Sequence, residues 1–379
     1  MNINIIGGGP AGLYFALLMK KHNSRHEITV AERNAPGDTF GWGVVFSDKT
    51  LSYIQSTDEE SYRRITESFE TWDNVDVVHR GQKITVRGNK FSGIARIKLL
   101  GILQQRCEEA GVNLRFCVNV TDVDSLVESF DLVVGADGVN SEVRQRFREF
   151  FQPTLSTRHN KYIWYGTHQL FHGLTLTFRE TEAGVFAAHS YKFDKQTSTF
   201  IVECNQATWD RAGLAAMSDA DAQCYLAGVF REDLAGHELL SNNSRWINFL
   251  LVKNKRWHHR NVVLLGDALH TAHFSIGSGT KLALEDAIAL FRCFDGERNL
   301  EAALAEFERV RKPVIEAYQQ AADESLVWFE NAKDYMHLAP YDFAYQLMTR
   351  SKKIDYENLK RRDPAFIEAY EAAMNAERM

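Results

Sequence analysis

The chain has 379 residues, 45% hydrophobic and 25% charged, which is ordinary for a soluble globular protein and more than one hydrophobic core usually serves. A formal charge of -6 argues against a nucleic-acid binder, which wants a basic face, and no run of 18 apolar residues offers a membrane span. Five cysteines with irregular spacing and no CxxC pair read as reduced, buried thiols. The N-terminus has no basic segment or cleavage site, so a cytoplasmic protein without nucleic-acid or membrane partners is expected.

Asn2–Ile6 is a short apolar run ending in glycines, Leu13–Met19 is apolar nearly all round like a buried helix, and Glu27–Ala31 reads as a second strand. Strand, Gly-rich turn, helix, strand is the opening of a doubly wound α/β sheet. Val75–Val78 and Lys83–Val86 flank Arg80-Gly81 as a hairpin. Ala95–Ala110 reads as a helix stopped by Gly111, with strands at Leu114–Val120 and Leu132–Val134.

The pattern then changes. Lys161–Thr167, Leu174–Phe178, Val185–Phe193 and Ser198–Cys204 are β-rich runs with no helix between them, which predicts an antiparallel sheet. A helix at Asp219–Phe230, a buried strand at Val262–Leu265 and helices at Leu282–Phe294 and Leu300–Trp328 follow. The tail Lys352–Met379 is charged and helical, with Pro364 its one breaker. The expected fold is α/β: a discontinuous Rossmann-like domain (1–74, 90–158, 256–330), an inserted antiparallel β-sheet domain (75–89, 159–255) and C-terminal helices (331–379).

Three motifs carry chemistry. Gly7, Gly9 and Gly12, with Pro10 and Ala11 between them, fit G-x-G-x-x-G at a strand-to-helix turn. There a helix N-terminus offers free N–H groups to a dinucleotide pyrophosphate. Glu32 ends the second strand, twenty residues after Gly12, where an acid accepts hydrogen bonds from a ribose. Asp137-Gly138 follows the Leu132 strand; its plainer reading is a turn in which Asp137 caps a helix. Gly266-Asp267 ends the Val262 strand, where a carboxylate can bind a polyol chain. Gly277-Ser278-Gly279-Thr280 then opens a helix whose N-terminus can face a ring that gains negative charge on reduction.

In this order the three motifs resemble the flavoprotein aromatic hydroxylases, which have one nucleotide-binding fold and no separate NAD(P)H domain. The resemblance implies FAD as cofactor, NAD(P)H as transient co-substrate and O2 as the oxygen source, by way of a flavin C4a-hydroperoxide. It assigns Asp137-Gly138 to the motif shared by FAD and NAD(P)H, Gly266-Asp267 to the ribityl chain and Arg96 to a flavin contact. It also implies FAD contacts at Arg33, Gly43, Val44 and Val120. The chain departs from the family in having Phe274-Ser275 where a proline is common, and Lys281 where Asn or Gly is common. Phe40–Asp48, Ser92–Arg96 and His273–Lys281 look most like the hydroxylases of salicyloyl-CoA and 2-aminobenzoyl-CoA. Asn160–Gly166 and Trp328–Glu330 also look like a violacein-pathway tryptophan hydroxylase. Some CoA-type members continue into a second reductase domain, which is not expected within these residues.

An electrophilic flavin implies a ring bearing a hydroxyl or amino donor, hydroxylated para to it. From the third strand of the antiparallel sheet, His189 and Tyr191 are the candidate polar contacts to that substrate. Of Tyr162, Trp164, Tyr165, Phe178, Phe186, Tyr191 and Phe200, two or three are expected to touch it. A CoA ligand would need local cations, with Arg63, Arg64, Arg80, Lys352, Lys353 and Arg361 as candidates. His258, His259, His270 and His273 lack carboxylate or thiol partners at ligand spacing, so no metal is expected.

Overall fold

The computed structural model describes residues 1–39, 41–277, 279–295 and 299–377, so Phe40 and Ser278 of the motifs above, and residues 378–379 of the tail, lie outside the described residues. Six strands form the first sheet, in the order His258–His259, Val262–Leu264, Leu132–Gly135, Asn2–Ile6, Glu27–Ala31, Asn113–Arg115. All neighbours are parallel except the His258–His259 edge pair. Ile3, Ile5, Val133, Val134, Val262 and Val263 are fully enclosed, as a parallel sheet covered on both faces requires. The strands at 132 and 262 are neighbours although the strands of the second sheet from Pro153 to Asn254 lie between them in sequence. The first sheet is therefore built from segments that are far apart in the chain.

Helix Pro10–His22 is buried from Pro10 to Met19, which explains its lack of a polar stripe. It packs against helices Arg96–Ala110 and Gly279–Phe294. The latter pair with the 31-residue helix Leu300–Glu330 close one side of the sheet.

The second sheet contains Pro153–Thr167, Ser198–Cys204, Gly184–Lys192 and Leu174–Thr181 as consecutive antiparallel neighbours. The hairpin Val75–His79/Gln82–Val86 joins its edge through parallel pairing of Val75–Val78 with Leu174–Thr177. Ile247–Asn254 pairs with the long first strand. Strand alternation sorts the side chains. Ile163, Tyr165, Phe186, Phe200 and Val202 point to one face, where Leu226 and Phe230 close a core. Tyr162, Trp164, Leu176, His189 and Ile201 point to the other, where they line a cavity. Helices Pro340–Thr349 and Pro364–Glu377 pack over Val77, Ile84 and Phe178 at the hairpin end.

Several elements differ from the sequence reading. The strand expected over Leu114–Val120 ends at Arg115, and the chain turns at Cys117, whose φ is +57°. A three-stranded sheet (Gly43–Ser47, Phe91–Ala95, Glu70–Trp72) and the helices Asp48–Thr57 and Glu59–Thr66 were not anticipated. Pro364 starts a helix rather than breaking one, a position that costs no hydrogen bond. Of the cysteines, Cys117 and Cys224 are exposed, against the expectation that all are buried.

Candidate active site

A cavity of about 510 Å³ lies between the two sheets. One end is backbone-rich. Gly7 and Gly12 are where helix and strand come closest: a Cβ on Gly7 would stand 2.2 Å from the Ala136 carbonyl oxygen, and one on Gly12 would stand 2.2 Å from that of Gly7. Gly9 is the N-cap of helix Pro10–His22, no side chain caps that helix, and a Cβ on Gly9 would meet nothing within 4 Å. Gly9, Pro10 and Ala11 line the cavity, so the free N–H groups of the first turn open into it. Glu32 braces the turn from behind, its Oε2 accepting from the Gly8 N–H at 2.7 Å.

Gly138, Gly266 and Asp267 come from the neighbouring strand ends, and Gly277, Gly279 and Thr280 from the start of helix Gly279–Phe294. A Cβ at Gly138, Gly277 or Gly279 would likewise meet nothing within 4 Å. An open cradle of backbone at two helix starts, with a carboxylate between them, has room and donors for an anionic, hydroxyl-bearing ligand. Asp267 is exposed into the cavity yet deep in the protein, and this desolvation raises its carboxyl pKa, opposed by Arg96. Burial in turn lowers the Arg96 guanidinium.

Gly43 is stitched to the second sheet. The Gly43 N–H donates to Thr199 Oγ1 at 3.0 Å, and the Tyr191 hydroxyl donates to the Gly43 carbonyl at 2.8 Å. A Cβ on Gly43 would lie 2.6 Å from Phe193, so only glycine permits this approach. The neighbouring Trp42 carbonyl accepts from the Arg96 N–H at 2.8 Å, which fixes the start of the helix that carries Arg96.

The other end of the cavity is aromatic. Tyr162, Trp164 and Tyr191 line it, whereas Tyr165, Phe186 and Phe200 lie in the core on the opposite face and Phe178 lies under the C-terminal helices. Phe274 closes the end, its ring centroid 4.7 Å from Tyr162 and 5.3 Å from His189. Nearby His273 is held neutral: burial pushes its pKa well below the ordinary value.

Not every sequence candidate meets the cavity. Among the described residues, Gly7, Gly12, Glu32, Arg33, Val120 and Asp137 lie outside its lining. Arg33 is exposed and Val120 packs half-buried on the first domain's core. Asp137 does cap a helix: its Oδ2 accepts from the Glu142 N–H at 2.7 Å, and burial raises its pKa against those hydrogen bonds. Tyr191 presents its ring, its hydroxyl being committed to Gly43. Of the cations considered for a CoA ligand, Lys353 alone lines the cavity. Arg63 and Arg64 pair with Glu60, Glu67 and Glu109, and Lys352 stands 3.6 Å from Glu324.

The sequence reading missed the wall formed by Lys281, Tyr318 and Arg350. Lys281 donates to the Tyr318 hydroxyl at 2.6 Å, and Lys353 stands 4.0 Å from the centroid of the same ring. Arg350 donates to the Ser325 hydroxyl and the Ser275 carbonyl, both at 2.8 Å, and burial pushes its pKa down to about 10. These residues come from helices Gly279–Phe294 and Leu300–Glu330 and from the C-cap of helix Pro340–Thr349, and no local motif joins them. Arg96, Lys281, Arg350 and Lys353 thus face the cavity against one carboxylate, Asp267, among the described residues.

Residues 102–322 match the family described as FAD binding domain. The chain is 42% identical to salicyloyl-CoA 5-hydroxylase of Streptomyces sp, over 97% of this chain and 73% of that one. It is 36% identical to protodeoxyviolaceinate monooxygenase of Chromobacterium violaceum, covering 93% and 95% of the two chains. It is 33% identical to 3-hydroxy-4-methyl-anthranilyl-(aryl-carrier protein) 5-monooxygenase of Streptosporangium sibiricum, covering 95% and 97%. Among solved structures, 2-methyl-3-hydroxypyridine-5-carboxylic acid oxygenase superposes with a TM-score of 0.69 at 16% identity, over 95% of this chain and 98% of that one, a likeness of fold.

Proposed function

This chain belongs to the FAD-binding-domain family of FAD-dependent aromatic monooxygenases, and we propose that it hydroxylates an ortho-substituted aromatic acid carried as its CoA thioester. The observation that carries the reading is one continuous cavity, with open backbone at two helix starts at one end and an aromatic pocket at the other. Two of the three relatives above are named for aromatic acyl groups on a carrier, CoA or aryl-carrier protein. The excess of cations on the lining suits an anionic ligand.

In this reading residues 1–74, 90–158 and 256–330 hold the cofactor, and residues 75–89 and 159–255 supply the substrate wall. The first turn of helix Pro10–His22 takes the FAD phosphates, Glu32 keeps that turn in shape, and Asp267 accepts hydrogen bonds from the ribityl hydroxyls. Arg96, Gly43 and Val44 border the flavin ring. The N-terminus of helix Gly279–Phe294 favours negative charge on it. Bound there, FAD supplies the two-electron chemistry with NAD(P)H and O2. Tyr162, Trp164 and Phe274 hold the substrate ring and keep water away. His189 meets its hydroxyl or amino donor, whose lone pair enriches the para carbon.

Steady-state NAD(P)H oxidation tests this, with product mass checked, on salicyloyl-CoA and 2-aminobenzoyl-CoA beside salicylate, anthranilate and tryptophan. Coupled hydroxylation of a thioester is expected. Hydroxylation of a free acid or of tryptophan alone would refute the substrate class, and peroxide as the sole product with every aromatic would favour a flavin reductase.

A further inference from the structure

The aromatic pocket has a polar exit. His189 and Glu203 lie on adjacent strands as diagonal neighbours of one sheet face, since His189 pairs with Ile201 and Ala187 with Glu203. Their Nε2 and Oε2 atoms stand 3.3 Å apart, with side chains 5% and 1% exposed. The two atoms are not aligned as a full hydrogen bond, and neither has another partner among the described residues. A buried carboxylate and imidazole left that way are costly unless they have a use. Glu203 Oε1 accepts from Asn160 Nδ2 at 3.2 Å, which fixes the carboxylate. His189 lines the main cavity. Glu203 instead reaches a second, small cavity of about 10 Å³, bordered by Asn160, Asn205, Glu330 and Lys333. That is room for about one water. Lys333 is exposed, so the small cavity lies at the protein surface.

We infer that His189 and Glu203 form a proton relay that carries the hydroxyl proton of a bound phenolic substrate from the aromatic pocket to the small cavity at the end of the sheet. The inference rests on the substrate class proposed above. The substrate O–H bond breaks, its electron pair stays on oxygen, and an N–H bond forms at Nδ1 of His189. The Nε2 proton passes to Glu203 Oε2 and leaves through water beside Lys333. The ring is then a phenolate, richer in electrons at the para carbon. His189 is the catalytic base, and Glu203 positions it and accepts its second proton. Other ionisable groups bear on the pair. Tyr162, His273 and Arg350 face it from the cavity side, Glu330, Lys333 and Arg158 from the outer end, and Cys204 from behind the sheet. Arg350 is the nearby cation that favours a phenolate.

The test is a pH titration of salicyloyl-CoA bound to oxidised holoenzyme, reading the phenolate band by difference spectroscopy, with 2-aminobenzoyl-CoA as the ligand that has no hydroxyl. The wild type should ionise the bound phenol at least one pH unit below Glu203→Gln, and His189→Gln should shift in the same direction. In turnover, Glu203→Gln should lower kcat about 100-fold with KM little changed. FAD content and circular dichroism report whether each variant has folded. If folded Glu203→Gln and His189→Gln both keep the wild-type titration while the wild type hydroxylates the thioester, the relay is wrong and the substrate class stands. If the wild type binds no thioester, the substrate class is wrong, and the same titration with salicylate decides the relay.

Discussion

Replacing Glu32 with Ala probes the Gly-rich turn through one side chain. Its carboxylate closes three hydrogen bonds: Oε2 accepts from the Gly8 N–H at 2.7 Å, and Oε1 accepts from the Asn34 N–H at 2.8 Å and from Asn34 Nδ2 at 2.7 Å. A hydrogen bond to a charged group is worth about 1.5–3 kcal/mol. The two Asn34 donors sit in a half-buried segment and can turn to water. Gly8 is buried, and the conformation of the turn fixes its N–H. The uncompensated loss is therefore about one charged hydrogen bond, and it falls on the peptide next to Gly9, where we propose that the cofactor phosphates bind. At about 1.4 kcal/mol per factor of ten, FAD binding should weaken roughly 10- to 150-fold. Titration of FAD into apoprotein, followed by flavin fluorescence, measures this. Glu32→Gln should fall between the two, because its amide oxygen can still accept from Gly8 while its NH2 opposes the Asn34 donors. A dissociation constant for Glu32→Ala within about twofold of wild type would refute the reasoning, leaving Glu32 a solvated strand end.

Asp267→Ala should lower both FAD content and turnover, and Asp267→Asn should lose less, since the amide keeps one acceptor. Because burial raises the Asp267 pKa, wild-type FAD retention should fall as mild acid protonates the carboxylate, and Asp267→Asn should be flat over that range; normal flavin content in Asp267→Ala would remove the ribityl assignment. His273 gives a stability test of known sign. Its folded pKa is depressed, so below about pH 6.5 the unfolded chain takes up a proton that the folded chain refuses. Stability is then lost as pH falls, by at most about 1.4 kcal/mol per pH unit from this residue. His273→Gln should flatten the profile between pH 6.5 and 5 in thermal denaturation, and an unchanged slope would contradict a buried neutral imidazole.

The Gly-rich turn at the backbone-rich end of the cavity was legible because its geometry is local. A Gly-x-Gly-x-x-Gly turn between a strand and a helix needs close backbone contacts at Gly7 and Gly12 and open space at Gly9, and consecutive residues meet all of these needs. The period-two runs at 161–204 likewise announced a sheet, since alternation is set by the pleat. What the sequence left open was which strands are neighbours and which face looks where. Register decides that Tyr162, Trp164, His189 and Ile201 share the cavity face while Tyr165, Phe186 and Phe200 turn to the core. Tyr191 looked like a substrate contact until folding brought the Gly43 carbonyl, 148 residues away, onto its hydroxyl. Arg350 and Glu203 were singled out by no motif. A lone arginine on a C-terminal helix, or a lone glutamate on a strand, acquires its chemistry only when long-range packing buries it beside partners from other elements. Local sequence determines the Gly-rich turn, because backbone geometry there is a property of adjacent residues. Tertiary structure decides the substrate pocket, because burial and charge pairing are properties of residues that are distant in the chain.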